Sequence, residues 1–381
     1  MKHVELIRIL FVSTILFVTF MLIMWFKTAP NYIIPILKEY KIIPGPFKYE
    51  CQDGAANPRD SHTEIKKICA GNGSMWTGAI DFNVCEVKGC ILEYNLSKSD
   101  ECHAVMLQSN HLEDRFIPRQ DEQVWIIVSH ETPFTLTPIL GNKKWRGAFN
   151  WIFSYQRNSD IFFPWGEVIA KTYIPKRNYS AIFDAKNGTA VWLSSNCRTQ
   201  SRRDEYVNIM GNIIDIDIYG KCGNLSCRNI IRKDDPNDVC RNEKSIQYKF
   251  YLSFENALCP DYITEKVYLF YQYDRQIIPV IRGIQNADEF LPKNTYVDAS
   301  KFDNATQLAH YLKVLGNDRE RYIAMLKEKD KYTVDTIVKV FETAMCSLCA
   351  KLHDSFNERC IDTKVWKSQQ LNECRNPHDL M

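Results

Sequence analysis

The chain has 381 residues, enough for two or three domains with large cores, and its 45% hydrophobic and 25% charged content is that of a folded globular protein. Its 48 basic side chains nearly balance 46 acidic ones, so no polybasic field marks nucleic acid as the main partner. Fourteen cysteines and six Asn-x-Ser/Thr sequons, at Asn72, Asn95, Asn178, Asn187, Asn224 and Asn304, point to an oxidising, glycosylating compartment and argue against a cytosolic enzyme.

Residues 1–8 form a short tail before Ile9–Phe26, eighteen residues interrupted only by Ser13, Thr14 and Thr19. That run is about the minimum for a bilayer span and long for the apolar part of a cleaved signal. No small-x-small cleavage site follows it directly, and Trp25 sits where an interfacial aromatic belongs. Lys2 and Arg8 on one side and Lys27, Lys38 and Lys41 on the other barely decide orientation, but every sequon lies C-terminal to the run. The expectation is an uncleaved signal anchor with a lumenal body; a cleaved signal peptide is the competing reading. Residues 27–60 carry Pro30, Pro35, Pro44, Pro46 and Pro58 and read as an extended stem.

Short apolar patches with Cys69, Cys85, Cys90 and Cys102 follow. Val124–Ser129 is apolar almost throughout, as a buried strand is, and Asp160–Phe163 is a second short strand. From residue 190 the pattern alternates: strands at Ala190–Leu193, Ile214–Tyr219, Tyr248–Phe254 and Ile277–Ile281, helices at Arg202–Met210, Asp261–Tyr273, Thr306–Leu315 and Asp318–Glu328. Such alternation predicts parallel sheets covered by helices. The breaks at Pro175, Asn178 and Asn187–Gly188 divide an N-terminal α/β domain (61–185) from a C-terminal one (186–345), followed by a cysteine-containing tail (346–381) expected to pack back on the first domain.

Ligands of open parallel sheets bind at the carboxyl ends of strands. Here those ends are Ser195–Asn196, Gly220, Glu255–Asn256 and Gly283, all polar or small. The densest block is Tyr248–Lys266, YKFYLSFENALCPDYITEK, in which a buried strand ends in Glu255–Asn256 and a helix opens with Thr264, Glu265 and Lys266. A helix N-terminus beside hydroxyl, amide and ammonium groups suits a diphosphate. One Glu-Lys pair alone is equally a solvated helix start.

That block resembles the signature of the α1,3-fucosyltransferase family, Tyr-Lys-Phe-x-Leu-x-Phe-Glu-Asn followed by Asp-Tyr-x-Thr-Glu-Lys. His130–Pro133 (HETP), Phe149–Pro164 (FNWIFSYQRNSDIFFP) and Ser195–Gly220 resemble further family segments in the family's order, and the similarity spans roughly residues 65–350. The resemblance implies an α/β fold of GT-B type, two Rossmann-like domains facing across a cleft, and inverting transfer of L-fucose from GDP-fucose to the 3-hydroxyl of a GlcNAc residue in glycoprotein glycans. It implies a Golgi membrane protein anchored through residues 9–26. By motif position it makes Glu131 the base and Glu265 a second catalytic carboxylate. Ser195, Asn196, Arg203, Tyr248, Lys249, Glu255, Asn256, Tyr262, Thr264 and Lys266 become donor-binding residues. Chemistry supports the roles: Arg203 and Lys266 can stabilise a departing diphosphate as fixed cations, and inversion needs a carboxylate on the opposite face of the sugar.

Asp215-Ile216-Asp217 superficially matches the Asp-x-Asp box that holds manganese in other glycosyltransferases, but it lies within an alternating strand, and the family resembled needs no catalytic metal. Cys346-Ser-Leu-Cys349 has no second Cys-x-x-Cys to complete a zinc site. In the family such a pair is disulfide-bonded to cysteines ahead of the first domain, here Cys69, Cys85 or Cys90. Cys222, Cys227 and Cys240 cluster in one loop, and Cys360 with Cys374 is expected to close the tail. Two departures from the family pattern, PVIRG with Arg282 and YIAMLKEKDKY, bear on acceptor preference. The alternatives are an inactive membrane-anchored glycan-binding relative and a transferase using another nucleotide sugar. Retention of Glu131, Arg203, Glu255, Glu265 and Lys266 counts against the first.

Overall fold

The computed structural model describes residues 65–71, 80–112, 119–120, 123–136, 145–227, 238–335, 337–354 and 360–380. The expected anchor, the stem and Asn72 lie outside them. Among the described residues no helix is long and apolar enough to cross a membrane.

Strands β1 (Lys66–Ala70), β2 (Cys90–Glu93), β3 (Ala104–Gln108), β4 (Val124–Ser129), β5 (Trp151–Ser154) and β6 (Ile161–Phe162) form a parallel sheet ordered β2-β1-β3-β4-β5-β6. β4 is buried at every residue because both faces are covered. Ile126 and Val128 enter one core, Trp125 and Ile127 the other, which is why the strand is apolar without alternation. β7 (Glu167–Ala170) then leads out of this half.

The second half runs α1 (Tyr179–Asp184), β8 (Gly188–Leu193), α2 (Arg203–Gly211), β9 (Ile216–Tyr219), α3 (Val239–Gln247), β10 (Tyr248–Phe254), α4 (Glu265–Tyr268), β11 (Ile278–Arg282), β12 (Val297–Asp298), α5 (Ala305–Asn317) and α6 (Arg319–Lys329). Its five strands are parallel in the order β12-β11-β10-β8-β9. α5 is defined by a cap and a stripe: the Asn304 side chain accepts from the Gln307 amide, and Ala305, Leu308, Ala309, Leu312 and Leu315 are buried on one face. Asp318 ends α5 and caps α6 through the Arg321 amide. The two halves are thus α/β units with parallel sheets, as the strand-helix alternation predicted for the second of them.

The helix expected over 261–273 is a single turn, α4. Thr264 is its N-cap, while Asp261 before it and Tyr273 and Asp274 after it have positive φ. Val267 to Tyr271 are all buried, and no helix can hide five consecutive residues on one face.

After α6, β13 (Tyr332–Asp335) pairs antiparallel with β7, and α7 (Ile337–His353) and α8 (Thr363–Glu373) return to the first half. Val340, Phe341, Ala344, Met345 and Leu348 of α7 complete the core beside β1, β3 and β4, while Trp366 of α8 packs with Trp125 and Phe149. The tail expected to cover the first half does so only as far as α8. Beyond it the chain crosses to the second half, where Cys374 bonds Cys259, the Arg375 amide donates to the Leu258 carbonyl, and Leu380 enters the core.

Cys85–Cys346 and Cys90–Cys349 pin α7 to the first half, as the family resemblance implied. Cys69 takes no part in this; it pairs with Cys102 beneath the same sheet. Cys374 reaches Cys259 rather than Cys360 because the chain end leaves the first half. Cys197–Cys222 and Cys227–Cys240 tie the loops after β8 and β9. The α7 bridges close loops of 261 and 259 residues, so changing Cys346 and Cys349 to Ser should cost about 2–4 kcal/mol each. The expected outcome is retained, poorly secreted protein; wild-type yield and melting temperature would show the bridges to be dispensable.

Candidate active site

The carboxyl end of β10 carries Glu255, whose buried carboxylate is fully engaged within the protein. Its Oε1 accepts from the Thr264 amide at 2.8 Å and the Thr264 hydroxyl at 2.9 Å, and its Oε2 accepts from Lys266 Nζ at 2.9 Å. Gly283, at φ 149°, follows β11 against this side chain; a Cβ there would lie 2.7 Å from that of Glu255. Glu255 is therefore a strut that holds the turn carrying Thr264, Glu265 and Lys266.

Lys266 Nζ spends two donors, on Glu255 and on the Thr264 hydroxyl at 2.7 Å, and keeps one. Burial opposes its charge, yet the carboxylates of Glu255 and Glu265, the latter 3.9 Å away, hold the ammonium above the ordinary lysine value. It is a fixed cation at neutral pH.

Arg203 opens α2 directly after the left-handed Arg202. Its guanidinium is buried over the Trp192 ring, with Nη1 donating to the Phe254 carbonyl at 2.6 Å and Nη2 to the Asn196 carbonyl at 2.8 Å. Two of its five N–H donors are thus committed to backbone, joining the ends of β8 and β10, and burial lowers its pKa from the usual arginine value. Its Nε and the Asn256 Oδ1 remain buried without a hydrogen-bond partner. Ser195 and Asn196 lie exposed on the loop after β8, held by Cys197–Cys222 and by Gly220, where a Cβ would stand 2.5 Å from the Ser194 carbonyl.

In the first half, Glu131 follows β4 by two residues. Its Oε2 accepts from the Tyr262 hydroxyl of the other half at 3.0 Å. Burial raises its pKa, only partly offset by that hydrogen bond and by Lys266, while Glu265 and Glu255 push the same way as burial. Neighbouring His130 is stacked between Phe163 and Trp165 and donates Nε2–H to the Phe163 carbonyl at 2.7 Å. Burial drops its pKa to about 4, so it is neutral and serves as packing. The carboxyl ends of both sheets meet here, with Tyr155 edge-on to Tyr262.

Several expectations are corrected. Tyr248 and Lys249 begin β10 and so lie at the opposite end of the strand from Glu255, about 20 Å away at roughly 3.3 Å per residue. The Tyr248 hydroxyl donates to Asp217, and Lys249 Nζ caps the Gly316 carbonyl at the end of α5. Neither is placed to bind the donor. Tyr262, on the same turn as Lys266, donates its hydroxyl to Glu131 of the first half. Arg282, tied by its place in PVIRG to acceptor preference, instead clamps Asp379 of the chain end at 2.7 and 2.8 Å and donates to the Ser201 carbonyl. Asp160, another carboxylate of the first half, accepts from the Ile152 amide at 2.9 Å and belongs to the sheet, which makes it a poor substitute for Glu131 as a base.

Asn95, Asn178, Asn187 and Asn224 are exposed and Asn304 half-buried. Cys90, Cys349 and His353 approach one another as metal ligands do, but the two sulfurs are joined to each other.

Sequence reasoning missed Arg157 and the orientation of Asp261, whose carboxylate accepts from the Arg157 amide, Nε and Nη2 at 3.0–3.1 Å. The Cys-Pro-Asp run marks a turn; nothing local marks its partner.

Residues 68–166 match the family "Fucosyltransferase, N-terminal" and residues 183–367 match "Glycosyltransferase family 10 (fucosyltransferase) C-term". Alpha-(1,3)-fucosyltransferase C of Drosophila melanogaster is 33% identical over 276 residues, 68% of this chain and 61% of the relative. Glycoprotein 3-alpha-L-fucosyltransferase A of the same organism is 29% identical over 301 residues, 77% of this chain and 56% of the relative. The chain thus matches about three fifths of the length of these curated relatives. A crystal structure of an alpha1,3-fucosyltransferase with GDP-fucose aligns with 80% of this chain and 96% of its own, at 17% identity and a TM-score of 0.48. With both family halves matched in order and the motif carboxylates and lysine gathered at the facing strand ends, the chain belongs to the fucosyltransferase family, glycosyltransferase family 10.

Proposed function

We propose that the protein is an inverting α1,3-fucosyltransferase that moves L-fucose from GDP-fucose to the 3-hydroxyl of a GlcNAc residue in glycoprotein glycans. The observation that carries this reading is the meeting of Glu131 with the Tyr262–Lys266 turn, a carboxylate on one side and a fixed cation on the other. The acceptor oxygen attacks the anomeric carbon of fucose while the bond to the diphosphate breaks. The acceptor's proton passes to Glu131, and the electron pair of the broken bond leaves with GDP. Lys266, through its remaining N–H, and the buried charge of Arg203 stabilise that anion; Glu265 supports the cationic sugar. In this reading these two cations carry the charge that a divalent ion supplies elsewhere. The enzyme works in the Golgi lumen as a single-pass type II membrane protein held through residues 9–26, a reading supported by the apolar run, the sequons and the disulfides.

The test is a transfer assay on the full-length chain with GDP-fucose, GDP-mannose and UDP-GlcNAc, offered N-glycans bearing an inner or a peripheral GlcNAc. Fucose transfer to O3 of one of them, with no transfer from the other donors, is expected. Transfer from another donor, or binding of GDP-fucose with no product on either acceptor, would favour the alternative transferase or the inactive relative.

A further inference from the structure

The turn that delivers Tyr262 is held from the other half of the molecule. Asp261 has a φ of 56°, a conformation that costs a non-glycine residue energy and persists where surroundings impose it. What imposes it is Arg157, from the loop between β5 and β6. Its backbone amide reaches one carboxylate oxygen of Asp261 at 3.1 Å, and its Nε and Nη2 reach the other at 3.1 and 3.0 Å. The same guanidinium pairs with Glu289 and lies 5.0 Å from the Phe290 ring centroid. Next in sequence, Tyr262 is buried edge-on to Tyr155 and donates its hydroxyl to Glu131 Oε2, leaving Oε1 for an acceptor proton.

We propose that Tyr262 is a positioning residue for the base: its hydroxyl, aimed by the Asp261 turn that Arg157 clamps, fixes the Glu131 carboxylate from the opposite half of the cleft. The base is then built jointly, complete only where the two halves are docked at this point. The inference rests on Glu131 being the base. A hydroxyl donated to a carboxylate favours its ionised form, so the bond also sets the pH at which the base becomes competent. The other groups acting on Glu131 are Lys266, which favours ionisation, and Glu265 and Glu255, which oppose it; His130 beside it is neutral, and Tyr155 packs on Tyr262. All stay in place when the Tyr262 hydroxyl is removed.

The experiment measures kcat against pH and GDP-fucose affinity by calorimetry for the full-length chain and for Tyr262→Phe, Asp261→Asn, Arg157→Ala and the Tyr262→Phe/Arg157→Ala double variant. Asn tolerates the left-handed turn, so Asp261→Asn removes the ion pair with little added strain. Tyr262→Phe should move the acid limb of kcat up by about one pH unit with donor affinity near wild type. The two clamp variants should shift it in the same direction, and the double variant no further than Tyr262→Phe alone, because all act through one bond. An unmoved limb, a loss of kcat that is equal at every pH, or a loss confined to donor affinity would overturn the proposal. Glu131→Gln separates the two levels: wild-type turnover in that variant removes the base assignment itself, whereas an inactive Glu131→Gln beside an unshifted Tyr262→Phe removes only the positioning role.

Discussion

Glu131→Gln is expected to leave GDP-fucose affinity near wild type and to lower single-turnover transfer about 10²–10⁴-fold, the usual effect of losing a general base. The substitution keeps the shape and still accepts the Tyr262 hydroxyl, but cannot take a proton. The affinity should survive because Lys266 and Arg203 both stand on the other half. Burial raises the Glu131 pKa, and a base works ionised, so wild-type turnover is present above that pKa and is lost as pH falls through it, at higher pH than for an ordinary carboxylate. The limb should be absent from the residual activity of the Gln variant. Transfer at the wild-type rate would remove Glu131 from the mechanism, and since Asp160 is bound to the Ile152 amide, another carboxylate at the facing strand ends would have to be sought.

Lys266→Ala should weaken GDP and GDP-fucose about 10- to 100-fold and slow departure of the diphosphate, since a hydrogen bond to a charged group contributes about 1.5–3 kcal/mol. The substitution also leaves the buried Glu255 carboxylate without its cation, which destabilises the turn. The two contributions separate by experiment. Lys266→Arg keeps the charge and should recover the melting temperature and part of the affinity. Calorimetry showing wild-type GDP binding by a folded Lys266→Ala protein would mean that the ammonium serves only to neutralise Glu255.

Much of this was legible in the sequence where local pattern and tertiary role coincide. β4 and β10 are continuous apolar runs because both of their faces are covered, and α5 shows a buried stripe behind a capping Asn. Motif proximity misled where it was taken for spatial proximity. Tyr248 and Lys249 are seven and six residues before Glu255, and an extended strand converts that interval into nearly the full height of the sheet. The strands β1 to β3 were hidden by their brevity, four or five residues each among cysteines. The contacts that shape the site, Arg157 with Asp261 and Tyr262 with Glu131, span 104 and 131 residues and leave no periodic trace.

The late position of the closing elements bears on how the chain is made. Both sheets are fully encoded by residue 298, yet the core over β1, β3 and β4 awaits Val340 to Cys349, and the second core awaits Leu380. Multidomain chains ordinarily fold from the N-terminus as they emerge. Here neither half can mature in that order: a nascent chain that has delivered every strand of both sheets still exposes the apolar face that α7 will cover, and Cys85 and Cys90 wait for partners some 260 residues downstream. During that interval Cys69 and Cys102 are the cysteines nearest to hand for mispairing, and the order in which the native bonds can close is set by the arrival of α7, not by the position of the early cysteines in the chain.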